Sequence, residues 1–292
     1  MMRYQRLTIN AGFGCPNRDG TLGTTGCSFC NNAAFSPAYC QPQKSIEQQI
    51  EEGIAFHHRR RPRNKGPYVA YFQSYSGTYA ALPTLRERYE AALAHPQVEG
   101  LVIGTRPDCV DDEKLNYLAE LAKHHYVMIE YGIESCYDRT LQRVGRGHDY
   151  ACTVSAVERT AQRGIRCGGH LILGLPGESI DDMLQEADML SALPINALKL
   201  HQLQILKGSP MGDDYLRHPE RYPAPFALEE YVRLVKEFRA RLRSDIVIER
   251  YVSQVPPQYM VDPARAWHHA DGRAVTPSDI TRMLNRGCEG EG

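Results

Sequence analysis

No stretch of this 292-residue chain approaches the roughly 18 to 20 consecutive apolar residues that a membrane-spanning helix requires. A helical membrane protein is therefore excluded. The opening MMRYQRLTIN has no apolar targeting core and runs straight into a strand-like pattern, so the expected setting is cytoplasmic. Formal net charge is only −1, and no overall field steers the molecule towards nucleic acid. Tryptophan occurs once, at Trp267. Cysteine occurs nine times, an odd number and mostly scattered, which argues for a reducing compartment over a disulfide framework. What the chain does have is a hydrophobic content of 42%, enough for a full core as one large α/β domain or two small ones.

Short apolar runs alternate with longer helical patterns. Strands are expected over 6–10, 68–73, 100–105, 126–133, 166–173 and 197–206, and helices over 45–59, 83–94, 111–124, 150–163 and 179–193. Ser45 with Gln48 reads as a capping box for the first helix. Strict alternation of this kind predicts a parallel sheet with helices outside, and function at the C-terminal ends of the strands. The expected architecture is α/β, a partial (β/α)6 TIM-like barrel over 1–210. A C-terminal extension over 211–292 packs on it. That extension begins with GSPMGDDYLRHPERYPAPF, read as an extended loop. An amphipathic helix over 227–243, a short strand over 246–250, a short helix from Pro277 and a polar tail, CEGEG, follow.

Cys15, Cys27 and Cys30, in CPNRDGTLGTTGCSFC, are separated by eleven residues and then two. Three thiolates can hold three irons of a cubane cluster and leave the fourth open to a small molecule, whereas four would close it. The close pair also has zinc-knuckle spacing, with Cys40 or His57 as a fourth ligand; a zinc-stabilised RNA-binding protein is then the alternative. Cys40, Cys109, Cys136, Cys152, Cys167 and Cys288 show no short pairing and read as small buried apolar side chains. Cys109 and Cys136 stand out among them, being next to strand ends.

Every unusual motif sits at an expected strand end: YFQSYSGTYA, GTRPD, YGIES, HLILGLPGE and LQILKGSP. Singly each is weak, since Gly-Leu-Pro-Gly is more often a plain turn. Together with the cysteine loop, in this order, they resemble the radical S-adenosylmethionine (SAM) superfamily over residues 3–210. TINAGFGCPNRDGT, YFQSYSGTYA and GTRPD resemble its YhcC/YtqA-type, Elongator-like branch in particular. The resemblance implies a [4Fe–4S] cluster on Cys15, Cys27 and Cys30, with SAM bound at the open iron. It implies SAM contacts from Gln73, Ser74 and Gly77 after strand two, Thr105 after strand three, and Gly174 and Leu206 after strands five and six. Glu134 stands where relatives have Gln beside the SAM ribose or methionine, and Arg146 where an arginine pairs with the SAM carboxylate. His170 stands where an aspartate reaches the ribose, a departure that puts that role in doubt. The bland readings are surface ion pairs for Glu134 and Arg146 and a packed histidine for His170.

The activity so implied is reductive cleavage of SAM to a 5′-deoxyadenosyl radical that abstracts hydrogen from a substrate, with flavodoxin or ferredoxin as reductant. Substrate identity is carried by less. HHRRRPRNK, residues 57–65, places five cationic side chains together and suits a phosphate backbone, although basic residues also complement a helix C-terminus. The Elongator subunit modifies the tRNA wobble uridine, and YtqA-type proteins are linked to maturation of the carboxymethylaminomethyl group at that base. A tRNA wobble-uridine side chain is thus the expected substrate. A small metabolite or a peptide is the competing one.

Overall fold

The computed structural model describes residues 4–60, 66–253, 255–263, 266–269 and 271–286. The basic run from residue 61 onward and the CEGEG tail lie outside the described residues. Seven strands form one sheet in sequence order, β1 Gln5–Ile9, β2 Tyr68–Phe72, β3 Val98–Thr105, β4 Tyr126–Glu134, β5 Arg166–Leu173, β6 Ala197–Gln202 and β7 Val247–Arg250. The strands are parallel, as the alternation with helices demands. The helices are α1 Ile46–Arg60, α2 Leu82–Leu93, α3 Asp112–Ala122, α4 Asp138–Arg143, α5 Tyr150–Gln162, α6 Ile180–Ser191, α7 Pro210–Arg217, α8 Leu228–Arg241 and α9 Pro277–Asn285. Among the described residues no helix is long and apolar enough to cross a membrane.

The structure differs from the sequence reading at two places. Strand β6 stops at Gln202, where the Gln202 side-chain amide donates to the Ser253 carbonyl at 2.7 Å and accepts its N–H at 2.9 Å. The segment read as an extended loop instead opens with α7. Ser209 caps it by accepting the Gly212 N–H, and Pro210 fills the first turn. The short strand expected over 246–250 is present as β7, pairing with β6 as the seventh strand of the sheet.

Chain contacts divide the molecule into two compact units. Unit 1 comprises 1–24, 35–132 and 151–168; unit 2 comprises 25–34, 133–150 and 169–292. In unit 1, β2 is buried along its whole length, and Tyr89 and Phe72 meet edge to face beneath it at 5.0 Å. The Tyr131 hydroxyl closes against Thr160 at 2.7 Å. In unit 2, Tyr231, Val235 and Phe238 of α8 are fully buried. Helix α9 begins at Thr276, whose capping box uses Asp279. The same carboxylate meets His269 at 3.3 Å and Arg282 at 3.4 Å, with Arg273 at 3.8 Å.

The β3–β4 pairing is close at its start, where Gly100 faces Tyr126. A Cβ at Gly100 would stand 2.0 Å from the Tyr126 carbonyl oxygen. Gly100→Ala must therefore spread the two strands. The expected loss is at least the ~2 kcal/mol typical of overpacking, a fall of about 5 °C or more in Tm for a chain of this size. Thermal unfolding followed by circular dichroism measures it.

Candidate cofactor site

In unit 1 the motif after β2 is built from hydroxyls. Ser76 and Thr78 meet the Thr105 hydroxyl at 2.9 and 2.6 Å, and Thr78 donates to the Cys109 carbonyl at 2.8 Å. The Ser76 hydroxyl accepts the Arg106 N–H at 3.2 Å. Gly77 is required there: its N–H donates to the Gly104 carbonyl at 2.8 Å, and a Cβ would collide with that oxygen and with Ile103 at 2.8 Å each. Tyr89 accepts the role of buttress, donating to the Gly77 carbonyl at 2.6 Å. Ser74 is buried and Gln73 half-buried just before this turn. The preceding cysteine turn is tied to it, since the Ser76 N–H donates to the Gly14 carbonyl at 3.2 Å. Cys15 heads that turn and accepts the Arg18 N–H on its own carbonyl at 2.8 Å. Tyr75, exposed and with φ of +58°, sits at the apex beneath the Arg18 guanidinium.

Unit 2 holds Cys27 and Cys30 on one turn, with the Cys30 N–H donating to the Cys27 carbonyl at 3.0 Å. Phe29 packs on Val144, Leu175, Ile205 and Met211. Backbone bonds from Ser28 to Val144 and from Met211 to Ser28 fix the loop at 2.9 and 2.8 Å. Arg146, 6% exposed, lies with one guanidinium nitrogen 3.5 Å from the Cys27 sulfur and another 3.6 Å from a Glu134 carboxylate oxygen. Glu134 ends β4 in the left-handed region, φ +68°, a conformation that costs a non-glycine residue about 1 kcal/mol or more and concentrates at functional sites. Two thiols on one tight turn, one of them facing a buried guanidinium, suit a thiolate-held metal cluster. The neighbouring carboxylate and guanidinium suit an amino-acid head group.

The other residues singled out from sequence fall as follows. His170 on β5 stacks on His201 of β6, ring centroids 5.2 Å apart, with an N···N contact of 3.2 Å. Gly174 adjoins Phe226 at the edge of a cavity of about 440 Å³ within unit 2. The Leu206 side chain belongs to an apolar cluster with Ala34, Val255 and Met260. Its carbonyl accepts the Ser209 hydroxyl at 2.7 Å. His57 contacts the Arg6 carbonyl at 3.0 Å. His201 was missed, although a strand with Lys199 and His201 on one face is a legible signal of a polar lining. Glu178 and Glu186 were missed as well. The Trp267 segment finds its place on the cavity wall: its indole N–H donates to the Phe226 carbonyl at 2.7 Å.

The strand-end sites and the parallel α/β fold define a cofactor-binding enzyme scaffold. A family model described as the Radical SAM superfamily matches residues 9–190, and one described as the Radical_SAM C-terminal domain matches 195–273. The chain belongs to the radical SAM superfamily, whose members are enzymes that use a [4Fe–4S] cluster and SAM. This decides the iron–sulfur reading over the zinc one. Among curated relatives, Escherichia coli (strain K12) YhcC is 40% identical over 211 residues, 72% of this chain and 66% of that protein. The match thus spans slightly under two thirds of YhcC. Bacillus subtilis YtqA is 33% identical over 287 residues, 98% of this chain and 85% of that protein. A tRNA uridine(34) acetyltransferase of Methanocaldococcus infernus is 23% identical over 165 residues, 56% of this chain and 30% of that protein. The solved structure of M. infernus Elp3 shares the fold, with a TM-score of 0.67 at 14% identity, over 96% of this chain and 62% of that one.

Four other thiols, Cys40, Cys109, Cys136 and Cys167, are inert by burial, whereas Cys152 is half-buried. Cys40 and Cys109 are pushed up to about 11 and Cys167 to about 12, and Cys136 rises too, in each case chiefly through desolvation. Cys15 and Cys30 are only half-buried. Brief alkylation of the metal-free protein near pH 7.5 is expected to modify Cys15 and Cys30 well before Cys40, Cys109, Cys136 or Cys167. Peptide mapping by mass spectrometry reads the order.

Proposed function

We propose that this chain is a radical SAM enzyme in which Cys15, Cys27 and Cys30 hold the cluster and Glu134 and Arg146 hold SAM. The observation that carries the reading is Arg146, buried between the Cys27 thiol and the Glu134 carboxylate, in a chain whose family uses these cofactors. When bound, the cluster and SAM supply a 5′-deoxyadenosyl radical that takes a hydrogen atom from the substrate. The residues of the chain bind and orient. Arg146 can present two parallel N–H donors to a carboxylate, and Glu134 can accept from two hydroxyls or an ammonium group. The turn at Gln73, Ser74 and Gly77, locked on Thr105, offers backbone groups in a fixed place. His170, Gly174 and Leu206 are assigned to the ribose and adenine side. Residues 1–210 form the radical SAM barrel in this reading, with 211–292 as its extension.

The substrate we propose is a side chain on the tRNA wobble uridine. Support comes from the likeness to a protein named for acetylating uridine 34 of tRNA and from the basic run 57–65. The unit 2 cavity, walled by Trp267 and Phe226, supplies the aromatic surface that an unstacked base requires. A flavodoxin or ferredoxin is the expected electron donor, and the compartment is cytoplasmic.

Anaerobic protein reconstituted with iron and sulfide, then given SAM and dithionite, is expected to form 5′-deoxyadenosine. Cys27→Ala abolishes that product; a colourless protein that makes none, even with all cysteines intact, overturns the assignment. Arg146→Lys keeps the charge but loses the bidentate geometry, and SAM affinity by equilibrium dialysis is expected to fall about tenfold. For the substrate, tRNA from a strain lacking the gene should carry an altered wobble-uridine nucleoside by mass spectrometry. An unchanged profile rejects tRNA and favours a small metabolite or peptide.

A further inference from the structure

The polar groups on the wall of the unit 2 cavity divide into those already engaged and those that are not. Gln202 commits both ends of its amide to the Ser253 backbone. The Ser179 hydroxyl exchanges bonds of 2.8 and 3.1 Å with Asp182 at the start of α6. The Trp267 N–H is held by the Phe226 carbonyl. Two acceptors are left over. Glu178 takes the Ser135 hydroxyl at 2.6 Å on one carboxylate oxygen, and its other oxygen is buried with no hydrogen-bond partner. The side-chain oxygen of Gln204 is likewise buried and unpartnered. Protein interiors avoid such acceptors unless a ligand or water completes them. Among the described residues of the wall there is no Lys, Arg or His, and a second carboxylate, Asp262, adds to the negative charge.

The rest of the wall is apolar and stiff. Phe226 and Trp267 are backed by Tyr231, with ring centroids 5.7 and 5.0 Å from it, and the Tyr231 hydroxyl is anchored on the Tyr251 carbonyl at 2.6 Å. Glu178 is fixed too, because the turn it grips is pinned a second time where the Cys136 N–H donates to Glu186 at 2.8 Å. Unmet acceptors, carboxylates and aromatic faces suit a ligand group that is positive and donates hydrogen bonds. A carboxylate or phosphate would meet like charge there. We propose that this cavity seats a protonated amine of the substrate, with Glu178 as its charged acceptor, Gln204 as its neutral one, and Trp267 and Phe226 as the faces that exclude water. This rests on the reading of the cavity as the seat of the substrate and narrows it to a cationic group. Glu178 and Gln204 are then the residues that determine specificity. Burial raises the Glu178 carboxyl despite its Ser135 donor, and a ligand cation beside it supplies the countercharge.

Trp267 is the only tryptophan of the chain, so its fluorescence reports on the cavity directly and without turnover. The reconstituted holoenzyme, saturated with SAM, is titrated near neutral pH with benzylamine, benzyl alcohol, benzoate and benzyltrimethylammonium. Benzylamine should quench Trp267 with an affinity about tenfold or more above that of benzyl alcohol, and benzoate should not bind. The trimethylated cation keeps the charge but has no N–H, and it should bind about tenfold more weakly than benzylamine. Glu178→Gln should cut the preference for amine over alcohol to about twofold while benzyl alcohol binds as before. Gln204→Met should weaken benzylamine about fivefold. If Glu178→Gln fails to fold, Gln204→Met and the four probes on the wild-type protein still decide. Equal affinity for amine, alcohol and acid, or a preference that survives both substitutions, overturns the proposal. So does displacement of benzylamine by SAM, which would make the cavity part of the cofactor site. A separate pair, 5-aminomethyluridine against 5-methyluridine, isolates the tRNA reading. If benzylamine keeps its preference and neither nucleoside binds, the amine site stands and the uridine substrate falls.

Discussion

Taken out of water, the Arg146 guanidinium meets two acceptors of different kinds, the Cys27 sulfur and the Glu134 carboxylate. A buried guanidinium cannot lose its proton, so the residues around it must supply acceptors. This explains why β4 ends in a left-handed glutamate and not in the glycine that conformation favours. The side chain is needed, and the backbone strain is offset by the charge it brings to Arg146. The cysteine turn follows from the same demand, with Ser28 and Phe29 fixed on both sides so that the Cys27 sulfur stays within reach.

Unit 1 achieves rigidity with neutral groups. Ser76, Thr78 and Thr105, all buried, satisfy one another. Hydroxyl networks of this type fix backbone position without the desolvation cost of charge. They leave the backbone groups of the Gly77 turn as the natural contact surface.

How much of this was legible in the sequence depends on the range of the contacts. The alternation of strands and helices fixed six strands to within a few residues, because period and capping are local. Cys27, Glu134 and Arg146, singled out through the family resemblance, lie together in the structure. The helix at Pro210 was hidden by its own composition, as proline, glycine and aspartate read as a loop unless Ser209 is recognised as a cap. Glu178 and Glu186 could not be picked out at all. Their significance lies in side-chain partners dozens of residues away, and buried carboxyls on an amphipathic helix look in sequence like ordinary solvent-facing ones. Gly100 likewise betrays nothing until Tyr126 is seen opposite.

Asp279 caps α9 and gathers His269, Arg273 and Arg282 around one carboxylate. Those bonds hold its ionised form, keeping its carboxyl well below the usual range. Stabilisation from such a group is present above the ordinary carboxyl pKa and is lost as pH falls through the lowered value. Trp267, Ala274 and Val275, beside this cap, line the cavity wall. Protonating a single acid group would therefore loosen the C-terminal helix and the tryptophan side of the cavity together, but only in acid stronger than ordinary carboxylates need.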